Sequence, residues 1–151
     1  TRFLIHGFDD LRYCLETLRK KRLGSNMEEN VTVELVNAVG EAFNKNDADS
    51  VMTFFSDDCI FDNGIGPDIF GKRFQGKKAV HAVFQELFDS VEFVNWKTQH
   101  VTIVNDKVYC EFHRTAQLKS GEKQEYLSLD ILTFKNGSIT HKDTYFKNRV
   151  Q

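Results

Sequence analysis

The pattern of apolar and polar positions changes once along this chain. Up to residue 90 the apolar residues recur at the spacing of a helix face, and after it they alternate with polar residues, as in half-buried strands. Helical segments first and alternating segments last predict a segregated α+β fold rather than a parallel sheet.

Three amphipathic helices are predicted to supply one side of the core. The third has the strongest periodicity, with apolar residues at i, i+3, i+4, i+7 and i+8 from Val80. The first two are predicted over Glu28 to Lys45 and Asp47 to Ser56, each with acidic residues at its start. Cys59 to Asn63 is predicted as a short strand, followed by a glycine- and proline-rich loop up to Phe74.

Four strands are predicted after the third helix, separated by residues that suit tight hairpins. Asn105-Asp106, Ser120-Gly121 and Asn136-Gly137 tolerate the positive φ of such turns, so an antiparallel meander is expected. Three helices can bury a meander only if the sheet bends around them, which leaves a pocket at its open end. The segments are Val91 to Val104, Lys107 to Leu118, Gln124 to Phe134, and Ser138 to Lys147.

Composition and charge argue against several kinds of binding partner, including nucleic acid and membranes. The net charge of -2 provides no basic field for nucleic acid. The chain has no run of about 18 apolar residues and no secretory pattern at its start, so we expect a cytoplasmic protein without membrane contact. The three cysteines and five histidines lack ligand spacing. Neither a metal nor a cofactor is expected.

The first 26 residues are expected to be an extension of the domain. A helical stripe between Asp9 and Leu23 predicts a helix there, and a complete domain pattern begins only after Met27. The domain proper is predicted over residues 28–150, and residues 1–26 are interpreted as an appendage that it does not need.

Two charged residues fall on strand faces that should point inward. The even positions from Val108 to Leu118 are apolar except for Arg114, and Asp130 lies within an apolar strand. We favour a buried ion pair between them. In the alternatives, Asp130 keeps its proton and donates a hydrogen bond to a ligand oxygen, or it faces solvent.

The register of the last hairpin decides which side chains meet Asp130. A two-residue turn places Asp130 opposite Asp143 and near His141, whereas a three-residue turn places it opposite Lys142 and near Thr144. A slip of one residue exchanges the whole face. We favour the second register.

Three stretches, in the order of the predicted elements, resemble the nuclear transport factor 2-like superfamily: Phe54 to Asn63, Phe74 to Val80, and Asn136 to Ile139. Within it, Glu28 to Val150 is most similar to SnoaL-like, limonene-epoxide-hydrolase-like and ketosteroid-isomerase-like proteins. The resemblance implies a cone-shaped fold, with three helices packed on a strongly curved, mainly antiparallel sheet that encloses a pocket. It does not imply one activity, because the fold carries several.

The catalytic residues of the isomerases are only partly present. The resemblance places Asn63 where those enzymes have their general base, and neighbouring Asp62 is the remaining source of a carboxylate there. The resemblance also places Asp130 at the position of the aspartate that binds the oxyanion in those enzymes. The tyrosine that assists this aspartate corresponds to Val39 here.

The catalytic residues of the epoxide hydrolases are also incomplete. Their arginine and first aspartate fall at Phe112 and Arg114, and their water-holding tyrosine falls at Phe61. Their second aspartate falls at Thr144, or at Asp143 if the last strand is shifted by one residue.

We therefore expect a pocket for a small apolar molecule, in an isomerase, cyclase or hydrolase that acts on an oxygenated compound by acid–base chemistry without a cofactor. The alternative is a non-catalytic ligand-binding or dimerisation module. Exposed aromatic residues on the strands predict a homodimer in both cases. The candidate catalytic residues are Asp130, Asp143 and Asn63, and the candidate ligand-binding residues are Arg114, Phe61, Phe112, Trp96 and Thr144.

Overall fold

Helices cover one face of a curved sheet in this protein. A computed structural model describes residues 31–147, so the helix expected from Asp9 to Leu23 lies outside the described residues. The helices are α1 (Val33–Asn44), α2 (Ala48–Met52) and α3 (Lys77–Ser90). The strands are β1 (Phe55–Asp68), β2 (Gly71–Gln75), β3 (Val91–Val104), β4 (Lys107–Leu118), β5 (Lys123–Lys135) and β6 (Ser138–Phe146).

Side-chain caps define where the first two helices begin. The Thr32 hydroxyl accepts a hydrogen bond from the Leu35 N–H at 3.2 Å, so α1 begins at Val33. The prediction wrongly included residues 31 and 32 in this helix, and its start at Glu28 lies outside the described residues. Asp47 caps α2 in the same way. The third helix keeps its predicted period, with Val80, Phe84 and Phe88 buried. No helix in the described part of the chain is long and apolar enough to cross a membrane.

A hairpin of β1 and β2 occupies the segment predicted as a loop. The predicted strand at residues 59–63 is only the middle of β1, which continues through Gly66 and Pro67. A Cβ atom on Gly66 would lie 2.1 Å from the carbonyl carbon of Gly71. Glycine therefore marks a close approach of two backbones here, instead of the end of a strand.

The six strands form one sheet in the order β2-β1-β6-β5-β4-β3. The predicted meander is confirmed, because β3, β4, β5 and β6 pair antiparallel in sequence. The β1 strand pairs antiparallel with β2 and parallel with β6. The predicted α+β class, with three helices on a curved, mainly antiparallel sheet, is therefore confirmed.

The last hairpin adopts neither of the two predicted registers. Lys135 faces Ser138 across a two-residue turn, but the pairing shifts by one residue before Thr133 meets His141. This bulge places Asp130 opposite Thr144. The second prediction had the wrong register but the right inward residues.

Candidate functional site

The inner face of the sheet and two helices enclose a cavity of about 160 Å³. That volume is close to the ~150 Å³ of an engineered apolar cavity that holds benzene, so there is room for one six-membered ring. Its apolar lining consists of Phe43, Phe61, Val83, Phe84, Leu87, Trp96 and Phe146. Its polar lining consists of Asn63, Arg114, Tyr126, Ser128, Asp130, Lys142 and Thr144.

Aromatic rings packed against one another form the wall on the helical side. Phe84 of α3 meets Phe43 of α1 edge-on, with ring centroids 5.3 Å apart, and lies 5.1 Å from Phe61 of β1. Phe61 also stacks on Phe74 at 6.0 Å. Such contacts fix the rings in place, so this wall is a preformed apolar surface.

A closed triangle of polar contacts joins β5 and β6 inside the cavity. The Lys142 ammonium lies 2.5 Å from one carboxylate oxygen of Asp130, and the Thr144 hydroxyl donates to the other at 2.7 Å. Lys142 also donates to the Thr144 hydroxyl at 2.7 Å. Asp130 is only 8% exposed and Lys142 only 5%. Both neighbours of Asp130 donate to it, so the carboxylate is an acceptor here and does not fit the predicted role of hydrogen-bond donor.

Arg114 is inside the cavity, but it is not paired with Asp130. The predicted ion pair is wrong because Asp130 faces Cys110 on the neighbouring strand, while Arg114 lies four residues farther along and faces Tyr126. The guanidinium lies 4.8 Å from the Tyr126 ring centroid and 5.7 Å from that of Trp96. Burial lowers the pKa of Arg114, and its contact with Tyr126 opposes this.

Four other predicted ligand or site residues line the cavity. Asn63, Phe61, Trp96 and Thr144 all contribute to its wall. The Asn63 side-chain oxygen accepts a hydrogen bond from the Ile65 N–H at 3.3 Å, which orients the amide in the hairpin. The structure brings these residues together, although none of them has an assigned role.

Two predicted site residues lie elsewhere. Asp143 is on the outer face of the sheet, where it accepts a hydrogen bond from the Tyr145 hydroxyl at 2.9 Å, because the bulge in β6 turns Lys142 and Thr144 inward. Phe112 lines a second depression, with Leu127 and Tyr145. The pairing of β3 with β4 shifts between Glu111 and Phe112, and such a bulge increases the local twist.

Asp62 is also on the outer face, so it does not supply a base to the cavity. It pairs with Arg73 of β2, whose guanidinium donates to both carboxylate oxygens at 2.7 Å. His141 lies 2.8 Å from the same carboxylate. The hydrogen bond from Arg73 is the main cause that lowers the pKa of Asp62, although burial opposes it. This cluster explains why a carboxylate only 2% exposed is stable on that face.

Sequence reasoning missed Tyr126 and Ser128 as cavity residues. Both lie at even positions of β5, in line with Asp130, so the period of two was the signal that could have identified them. The Ser128 hydroxyl is buried and has no hydrogen-bond partner among the described residues. Over residues 31–147, no three histidine, cysteine, aspartate or glutamate side chains are grouped so that they could hold a metal ion.

Comparisons with known proteins agree with the fold. A family model for SnoaL-like domains matches residues 36–142. A nuclear transport factor 2-like protein from Anabaena variabilis is similar, with a TM-score of 0.68 and 17% identity over 78% of this chain and 90% of that one. The predicted superfamily is therefore confirmed.

Two similar structures contain small ligands. A protein with a ketosteroid isomerase-like fold from Catenulispora acidiphila, in complex with trimethylamine, has a TM-score of 0.66 and 17% identity over 76% of this chain and 86% of that one. TerC, co-crystallised with polyporic acid, has a TM-score of 0.63 and 13% identity over 76% and 90%. No curated protein matches the sequence at a significant level. At these identities the likeness shows the fold alone.

Proposed function

The chain belongs to the family of SnoaL-like domains, and from that premise we propose that its cavity binds a small, mostly apolar oxygenated molecule and acts on it by acid–base chemistry without a cofactor. The observation that carries the proposal is a buried carboxylate, Asp130, at the wall of an aromatic cavity with room for one ring. Isomerisation, cyclisation and hydrolysis can each be accelerated by a base placed in this way.

The contacts of Asp130 hold its carboxylate in position for the role of general base. Its carboxylate accepts from Lys142 and Thr144 and is held still by both. A base in this position takes a proton from the bound molecule, and the adjacent ammonium then stabilises negative charge that develops on a ligand oxygen. Asn63, elsewhere in the wall, orients a water molecule or a carbonyl group.

The test is the variant Asp130→Asn, compared with Asp89→Asn on the exposed part of α3. A panel of small oxygenated ring compounds is first screened for turnover by the wild type. We expect Asp130→Asn to lose at least about 100-fold in kcat with KM little changed, because a general base contributes about 10²–10⁴-fold. Equal kcat values in the two variants would remove Asp130 from the mechanism.

A second candidate is a non-catalytic binding module that forms a homodimer through the outer face of the sheet. Two observations favour it: both oxygens of Asp130 already have partners, and Leu127 and Tyr145 are exposed on that face. In this case the wild type binds members of the same panel without converting any, and Asp130→Asn binds them equally well.

A further inference from the structure

Arg114 is a buried cation, and no buried anion among residues 31–147 lies against it. The side chain is 5% exposed, and no carboxylate of the described residues lies within 4.0 Å of its nitrogens. Its polar contacts are with neutral side chains, a hydrogen bond of 3.2 Å to the side-chain oxygen of Gln124 and a hydrogen bond with Tyr126. A guanidinium has five N–H donors and stays charged at neutral pH, so this environment leaves most of its binding capacity open.

The charges in the cavity do not cancel. The charged side chains of its lining are Arg114, Lys142 and Asp130, two cations and one anion. Asp130 is already paired with Lys142 at 2.5 Å, and four strand residues, about 13 Å, separate its position on β5 from the partner of Arg114. The unbalanced positive charge therefore belongs to the Arg114 end of the cavity.

A second, independent feature, the hydroxyl of Ser128, lies between the Arg114 end of the cavity and the Asp130 end. Ser128 follows Tyr126 and precedes Asp130 on the inner face of β5, and its buried hydroxyl has no partner in the described part of the chain. A buried hydroxyl without a partner is costly. A ligand oxygen near Ser128 would satisfy it, so a polar ligand lying along β5 fits both features.

We propose that the cavity binds a planar monoanion of one ring, with its carboxylate or ionised hydroxyl against Arg114 and the rest of the ring directed along β5 towards Ser128 and Asp130. The inference rests on the proposed function and names the ligand class of that same cavity. Trp96 and Tyr126 lie on either side of Arg114 on the neighbouring strands. A ligand anion bound to the guanidinium would therefore have an aromatic ring on both sides. The volume limits the ligand to one ring.

The first experiment uses two probes of nearly equal shape, 4-hydroxybenzoate and its neutral amide, 4-hydroxybenzamide. Trp96 is the single tryptophan of the chain, so its indole N–H resonance reports binding by nuclear magnetic resonance without a label on the ligand. At pH 7.5 we expect the anion to bind the wild type at least about tenfold more tightly than the amide, because a charged hydrogen bond in a buried site exceeds a neutral one by about that factor.

The second experiment assigns that preference to Arg114. We expect Arg114→Met, which keeps an unbranched apolar stem and removes the charged guanidinium, to bind both probes equally. Lys97→Gln removes a positive charge from the exposed neighbour of Trp96 and should keep the wild-type preference. An anion preference that persists in Arg114→Met would overturn the assignment.

The outcomes separate this inference from the proposed function. Equal binding of both probes by the wild type would overturn the anion class and leave a small-molecule cavity standing. Binding of neither probe up to their solubility, seen as an unchanged Trp96 resonance, would contradict both. The wild-type comparison needs no variant, so the inference stays testable if Arg114→Met fails to fold.

Discussion

Lys142 and Asp130 form an ion pair in the interior of the protein. Both residues are at least nine-tenths buried, and Thr144 closes the triangle between them. The Lys142 ammonium also lies 5.4 Å from the Phe61 ring centroid and 5.7 Å from that of Phe43. A buried pair of this kind costs little as long as both charges are present, and a great deal when one is removed.

The variant Lys142→Met should therefore lower the free energy of unfolding by about 3–5 kcal/mol, since Asp130 is left as an unpaired buried charge. The double variant Lys142→Met/Asp130→Asn should recover most of that loss. Urea titration followed by circular dichroism measures both. Lys97→Met, at an exposed position, is the control and should change little; equal stability of the single variant and this control would show that the pair is not a stabilising unit.

Asp62 predicts how stability changes at acid pH. Its folded pKa is lowered, chiefly by the hydrogen bond from Arg73, below the unfolded value of about 3.9. A group with a lowered folded pKa stabilises the protein above its unfolded pKa, and this contribution disappears as the pH falls through the folded value. We expect Asp62→Asn to be less stable than the wild type at pH 7, and the difference to shrink below about pH 4.

Urea titrations between pH 7 and pH 2 test this expectation for the Asp62 variant. Asp89→Asn, at an exposed position on α3, serves as the control and should follow the wild type at every pH. A stability difference for Asp62→Asn that is the same at pH 7 and pH 2 would contradict the assignment to an ionised carboxylate.

At the scale of elements, the β1–β2 hairpin brings Asn63 to the cavity wall. Gly71 has a φ of +79°, and a Cβ there would lie 1.9 Å from the Asn63 carbonyl oxygen. The hairpin therefore depends on glycine for two reasons, the left-handed backbone and the lack of space. A side chain at this position would push the backbone of Asn63 away from its neighbour.

Comparison with Gly121 distinguishes the effect of the left-handed backbone from the effect of the lack of space. Gly121 also has a positive φ, +90°, but a Cβ there would meet nothing within 4 Å. We expect Gly121→Ala to cost about 1–2 kcal/mol of unfolding free energy from backbone strain alone, and Gly71→Ala to cost a further ~1–3 kcal/mol from the clash. Thermal unfolding of both variants measures the difference. Equal costs would mean that the hairpin tolerates the added methyl group.

At the scale of the whole molecule, apolar side chains cluster on the outer face of the sheet, away from the helices. Leu127 and Tyr145 are 47% and 54% exposed, and both line the same depression. They lie at alternating positions to the buried side chains of their strands, so they belong to one surface. Apolar residues grouped in this way favour an interaction surface.

The proposed homodimer predicts a particle of twice the chain mass of 17.5 kDa at micromolar concentration. Light scattering after size-exclusion chromatography measures the mass. Leu127→Asp should shift the protein to a monomer, because it places a charge within the apolar face. Val33→Asp, at an exposed apolar position on α1, should leave the mass unchanged. A monomeric wild type would refute the homodimer.

The sequence predicted well whatever depends on neighbours along the chain. The period of α3, the extents of β3 and β4, and the inward position of Arg114 all follow from helix and strand geometry. The β1–β2 hairpin was missed because glycine is common both where strands end and where two backbones approach, and only the partner strand distinguishes the two cases.

The sequence did not predict which of the inward-facing charged side chains would contact each other, because this does not depend on neighbours along the chain. A single bulge in β6 placed Thr144 opposite Asp130, brought Lys142 to its carboxylate and turned Asp143 outward. Strand alternation by itself predicted that Arg114 points into the interior of an α+β fold, and it left open whether Asp130 does. Tertiary structure decided that both point inward and stand apart, because the register of β4 with β5 places Arg114 opposite Tyr126 and Asp130 opposite Cys110. It also decided the partner of Asp130, because one inserted residue in β6 changes the pairing of every position beyond it.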